Sequence, residues 1–517
     1  MNRRITVFNI QQPIFHIQAG TALLLALLAF PARAEDRQVR ELTLAECVGL
    51  ALEHNLDLKI QKLAREEARL EVGAAQGGYD PAVKVAARRA YDKTAGQSAG
   101  TAAGALEVLD SETDSDTLDA AVGGVTPLGG LSYEVGAQTG RSDGTREGNP
   151  FDTSTGSAGL TLTQPLLKGF KTDGTRYQVQ IAQKQSAEAA AQLEAQMQDV
   201  LTQVETAWYG LIQAREEIRV QEEAVRLATQ LYEDNRRKVQ IGAMSILDEK
   251  QAESQAAAAR AGLSTAKQAY AEAENRLKAL LFANHREWRK VAVSARGELA
   301  AEPVPADAAA SGARALEQRP DLRQARLALE RLGLTVTYRR NQTLPELDLV
   351  GGYGVAASDE DSRADVFDQL QAADEPYWNA GVVLSFPLGN RTERNRHRQS
   401  LAAQEKSKLE LRKLEESALV EVDNAAAAVA TGLERVQSTR EARAYAEQAL
   451  AAEEKKLERG KSTSFVVLQL QRDVTSARRA EIAARADYNQ QCAALALAEG
   501  AMLERHGIEF ADPADAR

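Results

Sequence analysis

The sequence predicts an α+β chain built as two tandem repeats, each a long coiled-coil helical hairpin joined to antiparallel β-strands. Three observations carry this. The first is a heptad: Val204, Leu211, Ile218, Val225, Tyr232 and Val239 fall at every seventh position, which holds one apolar stripe against a partner helix. The second is an echo. The same positions recur 218 residues later as Val422, Val429, Val436, Arg443, Leu450 and Leu457, and Gly242, which ends the first run, recurs as Gly460. Beyond the turn, Tyr270 and Leu277 recur as Tyr488 and Leu495. A helical hairpin is therefore duplicated. The third is a change of period ahead of the second heptad run. Leu347, Leu349, Gly351, Tyr353 and Val355 alternate with Asp348, Val350, Gly352 and Gly354, a strand pattern.

The chain has 517 residues and 5% aromatics, and Ala, Glu, Gln, Arg and Leu fill its long stretches, as in extended helices with much surface. A net charge of -11 argues against a general nucleic-acid binder. Arg3 and Arg4, the apolar core Thr21–Phe30 and Ala32-Arg33-Ala34 predict a signal peptide over 1–34, cleaved after Ala34. That core is too short for a comfortable membrane span, and no cysteine follows it to carry a lipid. No later stretch is apolar enough for a membrane helix, so any entry into a membrane must be by strands closed into a barrel. Export places Cys47 and Cys492 in an oxidising compartment where a disulfide between them is permitted. Two buried free thiols are the expected state of so sparse a set.

In order along the chain, Thr43-Leu44-Ala45-Glu46 reads as a capping box opening a helix with Leu44, Val48 and Leu52 on one face. Asn55 breaks it, a second helix runs from Leu56 to about Val72, and Gly77-Gly78-Tyr79-Asp80-Pro81 stops that one. The segment returns at an offset of 264: Ala51-Leu52-Glu53 as Ala315-Leu316-Glu317, Asp57-Leu58 as Asp321-Leu322, Pro81 as Pro345. The first repeat is thus 35–300, with strands within 81–167, a hairpin over 176–282 and its tip at Gly242. The second is 301–517, with strands within 345–388, a hairpin over 391–499 and its tip at Gly460. A polar loop, Ser358–Glu375, separates the strands of the second repeat, and Ala283–Ser311, with Pro303 and Pro305, joins the halves. The first repeat carries an additional strand pair, Leu118–Val125 and Leu131–Gln138, between polar loops Thr94–Thr117 and Thr139–Ser157. The pair either adds strands to a barrel or is an extracellular or periplasmic elaboration, and the elaboration is the favoured expectation. At about 1.5 Å per residue the helix ending at Ile241 reaches on the order of 100 Å, a length suited to spanning a gap.

Local wording then points to a family. Leu42-Thr43-Leu44-Ala45-Glu46-Cys47-Val48 with Leu52 and Asn55, Tyr79-Asp80-Pro81, Leu162-Thr163-Gln164-Pro165-Leu166-Leu167, Val204-Glu205-Thr206-Ala207-Trp208-Tyr209 and Gly242-Ala243-Met244-Ser245-Ile246-Leu247-Asp248 stand in one order. The sequence resembles the TolC family of outer-membrane efflux proteins over essentially its whole mature length. The resemblance implies a homotrimer in the cell outer membrane with a large periplasmic part. Each chain gives strands to one shared β-barrel and helices to a long α-helical tunnel. The tunnel tip meets a periplasmic adaptor (membrane fusion) protein and, through it, an inner-membrane pump. The function implied is a passive exit channel of a tripartite efflux or type I secretion system, with no cofactor. Four strands per chain would make twelve in the trimer. The alternative from another class is a periplasmic coiled-coil adaptor or structural protein that does not span the outer membrane; such an adaptor should show one hairpin interrupting a small β-domain.

The resemblance makes the tip the adaptor contact, so Gly242, Ala243, Ser245, Gly460 and Thr463 are the docking candidates. Ser245 and Thr463 also read as N-caps, and the two glycines as turns needing positive φ or close approach. Some family members close the tip with acidic residues six and nine positions after the second glycine. Here those positions are Val466 and Gln469, so an apolar constriction at Phe465–Leu468 (Phe465, Val466 and Leu468 among them) is expected instead. Asp248, six positions after the first glycine, is placed to pair with a basic side chain of a neighbouring helix and hold the tip shut. Tyr377 and Trp378 suit an interfacial aromatic belt. No catalytic residue and no metal site is expected, because His16, His54, His285, His397 and His506 are scattered. Substrate and pump are not written in this sequence.

Overall fold

The computed structural model describes residues 38–95, 98–100, 106–108, 110–146, 149–305, 307–360 and 362–510. The predicted signal peptide lies outside them. The elements are β1 (Gln38–Leu42), α1 (Leu44–His54), α2 (Leu56–Gln76), β2 (Ala82–Thr94), β3 (Ser98–Gly100), β4 (Leu106–Val108), β5 (Ser111–Val125), β6 (Ser132–Arg146) and β7 (Asn149–Pro165). Next come α3 (Gly174–Gln240), α4 (Ile246–Leu281), α5 (His285–Trp288), β8 (Val291–Ala295), α6 (Ala308–Gln318) and α7 (Pro320–Gln342). The chain ends with β9 (Glu346–Asp359), α8 (Arg363–Ala372), β10 (Glu375–Ser385), α9 (Arg391–Glu458), α10 (Ser464–Glu499) and α11 (Met502–Arg505).

Local chemistry fixes the boundaries. Thr43 and Glu46 form a reciprocal capping box, with Thr43 N–H donating to Glu46 Oε2 at 2.8 Å and Glu46 N–H to Thr43 Oγ1 at 3.3 Å. Asn55 is more than a break: its Oδ1 accepts from the Asp57 and Leu58 amides, capping α2, while its Nδ2 donates to the Leu280 carbonyl. The duplication holds to within one residue. α3 and α4 have 67 and 36 residues, α9 and α10 have 68 and 36.

The core lies where the helices converge at mid-length. Val204, Leu211 and Leu277 pack there with Leu42 and Cys47 from the N-terminus. The parallel pair β1–β8 fastens the N-terminal segment to the junction between halves. The segment after Gly500 docks onto the same core: Met502 is fully buried and Arg505 reaches the buried carboxylate of Glu205 at 2.8 Å. Further along the hairpins the side chains shrink. Ala228, Ala256 and Ala259 form one contact layer, with Val225 and Tyr232 packed against it, which lets α3 and α4 run close together.

Away from that core stands a six-stranded antiparallel sheet in the order β10-β9-β7-β6-β5-β2. Here three expectations change. The additional pair is β5 and β6, and it lies inside the sheet between β2 and β7, not outside it. Within the polar stretch Thr139–Ser157, residues 139–146 and 149–157 are strand, as is the end of Thr94–Thr117, since ladder hydrogen bonds satisfy the backbone whatever the side chains are. The loop Ser358–Glu375 contains α8, whose N-cap Ser362 accepts from the Asp365 amide. Val366 and Leu370 of that helix lie over Gly156 of β7, where any Cβ would collide with them.

Cys47 and Cys492 are both free thiols, each buried, and they sit in different apolar clusters. The permitted bridge does not form.

Candidate functional site

The two ends of the chain carry different chemistry. In the sheet, one hydrogen-bonded row runs Val83, Val122, Val135, Leu160, Tyr353, Trp378, one residue from each strand. The row two positions outward is also apolar: Val85, Ala120, Ala137, Ala158, Val355, Pro376. Successive residues of a strand point to opposite faces, so the rows between them form the other face. One of these reads Ala82, Gly123, Glu134, Thr161, Gly352, Asn379, and another Ala86, Asp119, Gln138, Ser157, Ala356, Glu375. One face is thus apolar and the other small and polar, the dyad pattern of a strand between lipid and a watery lumen. Past the apolar rows, at the end away from the helices, the same face turns charged, with Arg89 near Asp114 and Asp116, and Lys93 paired with Glu112.

Tyr377 and Trp378, expected together in an aromatic belt, are separated by this alternation. Trp378 is on the apolar face, 76% exposed. Tyr377 is on the polar face, its ring covering Gly354 and Gly159. The aromatic partners of Trp378 on the apolar face are Tyr353, directly opposite, and Tyr133 and Tyr91. The alternation around these tyrosines was the signal that would have found them.

Where sheet meets helices, polar side chains bind the parts. Asp173 caps α3 through the Arg176 amide at 2.8 Å and accepts from the Tyr79 hydroxyl at 3.1 Å. Asn341, at the end of α7, accepts from the Gly169 amide and donates to the Leu167 carbonyl. The inner turn of β5–β6 is held here too. Gln164 Nε2 donates to the Gly129 carbonyl at 3.0 Å, and the Arg176 guanidinium donates to the Pro127 carbonyl.

At the opposite end both hairpins turn by the same motif. Gly242 N–H bonds the Val239 carbonyl and Ala243 N–H the Lys238 carbonyl; Gly460 and Lys461 repeat this on Leu457 and Lys456. These are Schellman turns, with φ of 72° and 71° at the two glycines. A Cβ at either position would meet nothing within 4 Å, so the glycines serve the backbone conformation and not a close approach. Gly242, Ala243, Ser245, Gly460 and Thr463 are all exposed. Ser245 caps α4, accepting from the Leu247 amide at 3.2 Å, whereas Thr463 makes no side-chain cap bond to α10.

The four-residue constriction divides. Phe465 is 57% exposed, and Val466 and Gln469 also face outward, while Leu468 is 3% exposed and packs with Leu231, Ala252, Leu450 and Val467. Leu468 therefore belongs to the hairpin core and cannot line an opening. Its neighbour in sequence is turned by about 100° around the helix. Asp248 makes no ion pair among the described residues; its backbone carbonyl accepts from Asn235 Nδ2 at 3.3 Å. The two tips touch: Ser464 Oγ lies 3.9 Å from Met244 Sδ, Arg472 Nε donates to Gln255 at 2.6 Å, and Arg479 pairs with Glu217.

Among the described residues no group of three or more His, Cys, Asp or Glu is arranged to hold a metal, and no helix is long and apolar enough to cross a membrane.

A sequence model of the family described as outer membrane efflux protein matches residues 130–281 and 312–501. No curated protein matches the sequence. Several solved structures share the fold. The CmeC outer membrane channel of Campylobacter jejuni is 17% identical, with 92% of this chain and 88% of that one covered and a TM-score of 0.66. The outer membrane protein VceC of Vibrio cholerae is 17% identical, with 88% and 96% covered and a TM-score of 0.64. The MtrE outer membrane channel of Neisseria gonorrhoeae, in its open state, is 17% identical, with 89% and 89% covered and a TM-score of 0.63.

Proposed function

This chain belongs to the outer membrane efflux protein family, and we propose that three copies of it form the exit duct of a tripartite efflux or type I secretion system. The observation that carries the reading is the division of chemistry between the ends. A sheet with one apolar face and two unpaired edges stands at one end. Two glycine-turned hairpin tips stand at the other, beyond helices of 67 and 68 residues. An open strand edge cannot rest in lipid, so the sheet needs further copies to close it. The helices then carry the passage inward, and the tips meet a periplasmic adaptor that brings substrate from an inner-membrane pump. The energy is the pump's; this chain supplies a wall.

The tip holds the two working surfaces. Gly242, Ala243, Ser245, Gly460 and Thr463 form the adaptor contact, joined by the exposed apolar side chains of Ile241, Ile246 and Leu247. Phe465 and Val466 stand side by side at the start of α10, with Gln469 one turn on, and three copies bring the two apolar side chains together as a constriction. The Asp248 carboxylate pairs with a basic side chain of the next copy. Opening needs the second hairpin to move against the first, and the contacts it must release are Ser464 with Met244, Arg472 with Gln255, and Arg479 with Glu217.

The test is conductance in planar lipid bilayers. Purified protein should insert and give small, mostly closed currents, and Phe465→Ser with Val466→Ser should raise them. Currents unchanged by the double substitution would remove the constriction from α10. Protein that never inserts would overturn the channel itself.

A further inference from the structure

We propose that the shared barrel has eighteen strands, because the β5–β6 hairpin is part of its wall. The count rests on the trimer proposed above, as three copies of a six-stranded sheet.

Three independent features seat the hairpin in the wall. The first is pairing: β5 is hydrogen-bonded to β2 over 13 residue pairs, and β6 to β7 along its whole length. The second is the face pattern. The apolar row passes through Val122 and Val135 without a break between Val83 on one side and Leu160 on the other, and the polar row passes through Asp119 and Gln138 in the same way. A hairpin standing in water outside the membrane would have no use for an apolar face in register with its neighbours'. The third is anchoring, since its inner turn is held by Gln164 and Arg176, at the level where the other strands hand over to the helices.

The free edges fit one another. β2 runs outward from the helices and β10 runs back toward them, so β2 of one copy meets β10 of the next in antiparallel sense. Both edge strands are exposed along their whole length within one chain. The occupant of each edge is a second copy of this chain.

The consequence is width. With strands about 4.8 Å apart and tilted by about 40°, eighteen strands enclose a backbone cylinder about 36 Å across, against about 24 Å for twelve. The residues facing inward are mostly small: Ala121, Gly136, Gly159 and Gly354 form one row with Lys84 and Tyr377. Side chains of that size do not fill such a cylinder, and barrels of this strand number leave an aqueous channel. The barrel is then not the narrow point of the duct, and the size limit on cargo falls to the helical tunnel and its tip.

Cryo-electron microscopy of the detergent-purified wild-type protein counts copies and strands separately. Three copies and eighteen strands are expected. Three copies with twelve strands, the hairpin lying outside, would overturn the inference and leave the trimer standing. A copy number other than three would overturn the trimer and the count of eighteen with it. Single cysteines read the same question in whole cells: Asp119→Cys and Gln138→Cys should take up a membrane-impermeant maleimide that leaves Val122→Cys and Val135→Cys unlabelled. Equal labelling of all four would place the hairpin in water and contradict the wall.

Discussion

Cys47 sits with no exposed surface among the apolar side chains at mid-length, and burial, with a smaller push from the charge of Glu46, raises its thiol to about 12. Burial raises Cys492 as well. A thiol held above neutral pH stays protonated, and only the thiolate attacks. Both should therefore resist Ellman's reagent in the folded protein at pH 7.5 and react once it is denatured without reductant, giving two thiols per chain. No titratable thiol after denaturation would mean that a disulfide joins them. The sign is fixed by burial: raising the pH toward 12 should be needed before Cys47 reacts in the folded protein. The glycines of the two tips obey a different constraint. Their positive φ costs an ordinary residue about 1–2 kcal/mol, and nothing else in their surroundings demands glycine.

Among the elements, the second hairpin differs from the first at one seam position. Where the first has Val225 and Leu263, the second has Arg443 and Glu481, paired at 2.9 Å with the Glu481 side chain 7% exposed. Breaking such a pair leaves a buried charge alone, whereas replacing both partners with apolar residues of fitting shape is often neutral. Arg443→Val alone should cost about 2 kcal/mol, less than a fully buried pair because the guanidinium keeps some water. Arg443→Val with Glu481→Leu, which restores the residues of the first hairpin, should lie within about 1 kcal/mol of wild type. Unfolding midpoints of the detergent-solubilised proteins check both, and a double variant as unstable as the single one would contradict the argument. The hairpins were legible in sequence because a seven-residue repeat and one constant offset encode them directly. The sheet was legible only in part. One face of β5, β6 and β7 is polar, so Gly, Ser, Thr and Asp fill most of its positions and resemble loop. Leu468 and Tyr377 were misplaced for a related reason: a contiguous run of residues cannot share one face of a helix or a strand.

At the scale of the whole molecule, the chain places an apolar sheet, a packed belt at mid-length and an exposed tip in that order along two antiparallel hairpins. Among the described residues of one copy nothing covers the sheet edges or closes a passage, so the account depends on copies coming together around an axis. Family membership supports an outer-membrane channel, and the number of copies carries the rest. The most direct test is the native mass of the protein extracted by detergent from outer-membrane fractions. The account predicts three chains of the processed protein together with bound detergent. Protein recovered without detergent, running as a monomer or dimer, would contradict it and favour a coiled-coil protein confined to the periplasm.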